Sequence, residues 1–332
     1  MNANPGQSAF RVKAVSKLKA LRQLMLKEKV DALLVPRADC HQGEFISDKD
    51  ARLTWLTGFT GSAGLCIVTK KNISLFVDGR YWVQAENEKN SKQIKVQRLE
   101  RQLIIEWLKL NLTNSSKVAF DPWLHTSWEI EKLKLELEGY HEITPTANLI
   151  DRLWQNKPKE VITPAYKLKD KYAGVSHQLK LEKTSKMMID HETAFVIYTL
   201  PDSICWLLNI RGNDIPNTPI IKAFAIQKDN CEIEVYLDKG KIFSYNVNTE
   251  SSKPYLEKMG KVVDGLTSLE DIVKKEAQAA AAAVAQREEP GLPPCALSDQ
   301  DPNPFFMSSV APSEDPTPAP SPSQLPSHRM PP

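Results

Sequence analysis

WLTGFTGSAGLCIVTKKNISLFVDGRYWVQAENE, residues 55–88, decides the fold. Gly58, Gly61 and Gly64 open it, with the small residues Ser62 and Ala63 before the last. Leu65–Thr69 is an apolar run, Lys70–Asn72 a polar turn and Ile73–Val77 a second run, the pattern of a β-hairpin. Asp78, Gly79 and Arg80 follow, and Tyr81, Trp82 and Ala85 have the spacing of a short amphipathic helix. An acid before a glycine at a helix start suits Asp78 as the N-cap. The hairpin thus supplies a central pair of strands whose far end holds Arg80 at a strand-to-helix corner. A permanently charged guanidinium held by a rigid corner suits a peptide carbonyl or carboxylate. A plain surface arginine at a helix start is the other reading, and the one these residues alone favour.

Outward from the hairpin, helices alternate with short apolar strands. Residues 12–29 place Val15, Leu18, Leu21, Leu24 and Leu26 among lysines, an amphipathic helix. DALLVP, 31–36, reads as a buried strand, and RADCHQGEF, 37–45, as a polar loop. Residues 102–110 predict a helix, 117–121 a strand, and 123–137 a helix capped by Thr126 or Ser127 with Glu129. Residues 141–146 predict an edge strand limited by Pro145. This alternation indicates an α/β domain with a mixed sheet. A linker, QNKPKEVITP at 155–164, leads to a second unit of the same grammar. Its parts are a helix at 175–191, a strand at 194–200, an apolar helix at 204–210 and a hairpin from 220–227 and 232–238.

The end of the sequence differs in kind. Residues 277–285 are mostly alanine, and thirteen of the 23 prolines lie from Pro290 onward. Such a composition buries too little apolar surface to offset its ordering entropy, so 276–332 is expected to be disordered. The expected organisation is one domain over 1–156, a second over 157–275, and the tail.

Across 332 residues the composition is 41% hydrophobic and 25% charged, ordinary for a globular protein of two domains. A net charge of +2, with lysines dispersed along helices, argues against a nucleic-acid surface. No apolar run reaches the roughly 20 residues of a membrane span, and Met1–Ala20 lacks the apolar core of a signal peptide. Five scattered cysteines suit reduced thiols and a cytoplasmic location.

Other chemistry was weighed. Asp39, His41 and Glu44 are metal-ligand types without a second cluster, so a loop holding its backbone by side-chain hydrogen bonds is the better reading. Ser62 lacks the nucleophile elbow, and the glycines form neither a dinucleotide fingerprint nor a phosphate loop. Arg211 and Asp214 are expected to pair and steady the loop before Pro216, or else to make a subunit or domain contact. Trp123, Trp128 and Trp154 are expected to fill domain cores.

Several strings together resemble one family. They are RADCHQGEF, then GFTGSAG (58–64) followed by VDGRYWVQA (77–85), NLIDRLWQ (148–155), YAGVSHQLK (172–180) and DSICWLLNIRGNDIPNTP (202–219). In this order they resemble the N-terminal part of a three-domain, cytosolic-type Xaa-Pro aminopeptidase, over roughly residues 12–275. The resemblance implies two tandem creatinase N-terminal-like domains, each a mixed sheet flanked by helices. It also implies that Arg80, in the DGRY string, contacts the substrate, a peptide whose N-terminal residue precedes proline.

The family's catalytic part is a third, pita-bread domain that holds two manganese ions. Where it should begin, after Lys275, stand the alanine run and the proline-rich tail. A two-metal hydrolase needs several converging carboxylates and imidazoles, and the tail offers only His328 and acids scattered among prolines. The expectation is a truncated member with no catalytic residue, no metal ligand and no bound cofactor of its own. Its expected partners are N-terminal X-Pro peptides and full-length subunits of the family, not nucleic acid or membrane. Two alternatives stand beside it: an active Xaa-Pro aminopeptidase whose catalytic domain another chain supplies, and a non-enzymatic scaffold with a proline-rich tail.

Overall fold

Leu18, Leu21 and Met25 are all buried and recur three or four residues apart along α1 (Pro5–Lys27), one apolar stripe facing inward. The computed structural model describes residues 5–238 and 262–264. After α1 come β1 (Ala32–Pro36), α2 (Arg52–Thr57), β2 (Gly64–Thr69), β3 (Ile73–Val77), α3 (Trp82–Glu88) and β4 (Lys95–Arg98). Then follow α4 (Arg101–Asn111), β5 (Ser116–Phe120), α5 (Ser127–Glu136), β6 (His141–Pro145) and α6 (Leu149–Leu153). The six strands form one sheet in the order β4-β3-β2-β1-β5-β6.

Both faces of this sheet are covered, and strand periodicity divides the residues between them. Leu33 and Val35 of β1, Cys66 and Val68 of β2, and Ile73, Leu75 and Val77 of β3 enter one core with α1, α2 and α6. Ala32, Leu34, Ile67 and Phe76 enter the other, against Ile105 and Leu108 of α4 and Ile130 and Leu133 of α5. The hairpin register is antiparallel, with Leu65 opposite Phe76, and β6 is the edge strand as expected.

The second half continues with β7 (Tyr166–Lys167), α7 (Asp170–Ala173), α8 (His177–Asp190), β8 (Phe195–Tyr198) and α9 (Pro201–Leu207). β9 (Ile210–Arg211), β10 (Phe224–Lys228), β11 (Ile233–Leu237) and β12 (Val262–Asp264) complete it. One sheet runs β12-β11-β10-β8 and a small one pairs β7 with β9. Both halves lie within one compact unit. The alanine run and proline-rich tail, 276–332, lie outside the described residues.

Several elements depart from the sequence reading. The helix expected at 204–210 is α9, because Pro201 sits in its first turn, where a missing N–H costs nothing. Ile210 pairs instead with Lys167. The strand expected from Ile220 starts at Phe224. The short elements α2, β4 and α6 carry too little periodicity to be foreseen. Two tryptophans are not core residues. Trp128 is 59% exposed, two positions and so about 200° round α5 from buried Ile130, with the Lys132 ammonium 4.0 Å over its ring. Trp123 is 40% exposed and sets its ring edge toward Phe224. Trp154 does pack on the first core, its ring 5.8 Å from that of Trp55.

Candidate functional site

β1, β3, β4, β5 and β6 all run one way, and β2 alone is antiparallel to its neighbours. The end of β1, the start of β2 and the end of β3 therefore meet at one end of the sheet. Pro36 lies opposite Leu65, and Gly64 opposite Val77. The 37–47 loop, the glycine loop and the Arg80 corner meet there, at the strand ends where open α/β sheets take ligands.

Asp78 caps this corner. Its Oδ1 accepts from the Arg80 backbone N–H at 3.0 Å and from Arg80 Nε at 2.8 Å. The Nε bond, with the charge of Asp78, raises the Arg80 pKa above its ordinary value. The side chain is 71% exposed, and its guanidinium lies 5.4 Å over the Tyr81 ring. Among the described residues its two terminal nitrogens have no hydrogen-bond partner. The arginine is thus oriented at Nε and open at the tip.

The glycine loop supports the corner. The Tyr81 hydroxyl and Ser62 Oγ are 2.6 Å apart, and Tyr81 packs edge-on against Phe59. A Cβ on Gly61 would lie 2.2 Å from Phe59 Cζ, so that ring accounts for the glycine. Gly58 ends α2 at φ 85°, and Thr60 binds the Glu88 carboxylate through its N–H and hydroxyl, tying the loop to α3. Arg37 Nη1 donates to the Glu44 carbonyl at 2.7 Å. Burial lowers the Arg37 pKa against the opposing charges of Asp39, Tyr81 and Glu44. Beside these loops lies a groove of about 450 Å³, lined by Arg37, Gln42, Ser62, Arg101 and His125 among others.

The Asp39–Glu44 loop holds its own backbone, as read from the sequence. Asp39 Oδ1 accepts from the N–H groups of His41 (3.0 Å) and Gly43 (3.2 Å). His41 Nδ1 lies 2.9 Å from the Thr199 carbonyl oxygen, and its ring stacks on Phe224 at 4.4 Å. Among the described residues no group of three or more His, Cys, Asp or Glu could hold a metal ion, so they do not fit a two-manganese centre.

The buried carboxylates instead surround an ammonium that the sequence reading missed. Lys222 is only 4% exposed, and its Nζ donates to Asp50 Oδ2 at 2.8 Å. It lies 3.7 Å from both Asp39 Oδ2 and Glu160 Oε1. Asp50 also accepts from Ser47 Oγ (2.6 Å) and Arg52 Nη1 (3.1 Å), and Arg52 grips both oxygens of Asp151 at 2.9 Å. Burial pushes the Asp50 carboxyl up, but Lys222, Ser47 and Arg52 outweigh it and hold the pKa down to about 2. The same carboxylates hold Lys222 above its ordinary value against burial. The available signal was a lysine inside the apolar run IIKAFAIQ, 220–227.

Arg211 and Asp214 do not pair. Arg211 Nη1 donates to the carbonyls of Cys205 and Ile210, closing the end of α9. Asp214 accepts from Thr163 N and Oγ1 and from the Lys222 N–H, fastening the linker to the second half. Carbonyl groups left without partners at a helix end accept from such a donor. Cys40, Cys66 and Cys205 are free thiols, and burial and the nearby Asp39 charge push Cys40 up to about 11.

Comparison with known proteins agrees with this architecture. A family model described as the creatinase/prolidase N-terminal domain matches residues 17–153, and a second of the same description matches 156–292. The chain belongs to the creatinase/prolidase N-terminal family and carries two such domains in tandem. Its relatives include an aminopeptidase P1 of Lotus japonicus, 36% identical over 68% of this chain and 35% of that protein. The Xaa-Pro aminopeptidase 2 of Rattus norvegicus is 32% identical over 77% of this chain and 39% of its own length. The crystal structure of X-prolyl aminopeptidase from Caenorhabditis elegans, described as a cytosolic enzyme with a di-nuclear active site, superposes with a TM-score of 0.75. It is 27% identical, covering 82% of this chain and 45% of that one. The chain is thus homologous to the N-terminal region of Xaa-Pro aminopeptidases and spans less than half the length of these relatives. Among the described residues no helix is long and apolar enough to cross a membrane.

Proposed function

We propose that this chain is the peptide-contacting N-terminal part of an Xaa-Pro aminopeptidase, working in the cytoplasm, and that Arg80 contacts the peptide. One observation carries the reading: Arg80 is fixed at Nε by Asp78 but open at its tip, at the carboxyl end of the sheet. A guanidinium oriented in this way meets a carbonyl or carboxylate with little further loss of side-chain freedom. The groove lined by Arg37, Gln42 and Ser62 of the neighbouring loops gives an extended peptide room to continue. Bond cleavage by a pair of manganese ions belongs to the catalytic part that such relatives possess; the described residues supply binding and orientation. The partners are N-terminal X-Pro peptides and full-length subunits of the family.

The test is calorimetric titration of the chain with Arg-Pro-Pro. Binding is expected, weakened about tenfold or more in Arg80→Ala, as loss of a hydrogen bond to a charged group implies. Arg80→Lys, which keeps charge but not the fork, restores only part. Equal affinity in Arg80→Ala and the parent overturns the assignment of Arg80. Incubation with manganese and the same peptide is expected to release no arginine, and stoichiometric release overturns the binding-only role.

A further inference from the structure

Asp39 and Asp50 stand at the two ends of a single loop of the first domain, and both face Lys222 of the second. The middle of that loop is the part that reaches the Arg80 corner. Glu44 takes the Arg37 guanidinium on its carbonyl, and its carboxylate adds to the field that raises Arg80. Between the anchors the loop has few regular backbone bonds. The Gln42 N–H and side-chain amide donate to the Asp39 carbonyl, and the Asp50 N–H to the Ser47 carbonyl. Besides these, its internal ties are the turn on Asp39 Oδ1 and the Ser47–Asp50 pair, each centred on a carboxylate that faces Lys222.

Lys222 is itself held on the second domain. Its backbone N–H donates to Asp214 Oδ2 at 2.7 Å, and Asp214 also takes both donors of Thr163. A second contact lies alongside, where His41 stacks on Phe224 and meets the Thr199 carbonyl, while Cys40 packs on the same apolar cluster. The ammonium therefore joins a fixed point in one domain to both ends of a loop in the other.

We infer that Lys222 is a positioning residue: by binding Asp50 and facing Asp39 it sets the 39–50 loop, and through Arg37 and Glu44 the electrostatic wall beside Arg80. The inference rests on the proposed peptide role of Arg80 for its functional consequence, though not for the loop itself. Its sense is that the second domain, none of whose described residues bonds to Arg80, still governs how that corner meets a peptide.

The test uses the full chain with two readouts, amide hydrogen exchange across residues 39–50 and titration with Arg-Pro-Pro. Lys222→Met is expected to speed exchange at His41 and Gly43 by about tenfold or more and to weaken the peptide about tenfold. Lys222→Arg, which keeps a cation between the carboxylates, restores most of both. Arg80→Ala is expected to weaken the peptide while leaving loop exchange unchanged. Unchanged exchange in folded Lys222→Met, shown by near-ultraviolet circular dichroism, overturns the inference. So does an unchanged peptide affinity where Arg80→Ala abolishes it. Should Lys222→Met not fold, Asp39→Asn answers the same question. It keeps an oxygen for His41 and Gly43 and puts a neutral amide in place of the oxygen facing Lys222, so exchange is read at residues 44–47, whose amides Asp39 does not hold. Faster exchange there supports the inference and unchanged exchange overturns it. Absence of peptide binding by the parent chain removes the Arg80 reading and leaves the exchange data to decide the role of Lys222.

Discussion

Acid weakens the clasp between the two domains, and Asp50→Asn removes much of that sensitivity. In the unfolded chain the Asp50 carboxyl titrates near its ordinary value of 3.8, and in the folded chain at about 2. The folded group is the stronger acid, so its stabilisation is complete above about pH 5. It is lost as pH falls through 3.8 toward 2. A gap of almost two pH units corresponds to about 2 kcal/mol at neutral pH. Asp31 and Asp151 are also held low and give acid sensitivity of the same sign, but parent and variant share them. The assay is urea unfolding followed by tryptophan fluorescence at pH 7, 5, 4 and 3. By pH 3, still above the folded pKa, the parent is expected to lose about 1 kcal/mol more than Asp50→Asn, the rest going only at still lower pH. At pH 7 the variant itself is less stable by about 3 kcal/mol, because Lys222 and Arg52 lose a buried partner. Curves of parent and variant that stay parallel within about 0.5 kcal/mol from pH 7 to 3 refute the reasoning.

Three further outcomes follow from local geometry. Gly58→Ala is expected to destabilise by about 1–3 kcal/mol, since φ is 85° there and the new Cβ meets the Glu88 carbonyl oxygen at 2.6 Å. A loss below about 0.5 kcal/mol in urea unfolding contradicts this. Thr126→Ala breaks a reciprocal cap in which Thr126 Oγ1 accepts from Glu129 N and Glu129 Oε2 from Thr126 N. Its expected cost is about 1 kcal/mol, read as a lower urea midpoint at unchanged slope. Trp128→Ala is expected to cost no more than about 0.5 kcal/mol, and a core-sized loss would contradict its exposed position.

Elements with strong periodicity were legible. The hairpin at 64–77, the DALLVP strand and the α4 helix carry enough apolar residues at one spacing to define both type and buried face. The Asp78 cap and the Thr126–Glu129 box were readable because a cap involves residues at most three apart. Trp128 misled because a large apolar residue signals a core only when its helical phase agrees, and it points away from Ile130 and Leu133. Gln227 was equally silent. It sits buried in an apolar strand, its oxygen taking Thr184 and Tyr198 and its nitrogen giving to Leu181 and Ser185, partners about thirty to fifty residues away.

The amino-acid sequence by itself determined the α/β class, the two tandem units and the corner where Arg80 stands. Each of these rests on spacings within a few residues and on strings in a fixed order. Tertiary structure alone decided which charges meet. Lys222 and Asp50 are far apart along the chain and 2.8 Å apart in the fold. The partner of a buried charge is chosen by which loops the packed sheets bring together, and no periodicity along a chain encodes that choice. The division has a single physical origin. Local geometry is written in neighbouring residues, whereas the low-dielectric pockets that make ion pairs strong exist only once the domains have closed.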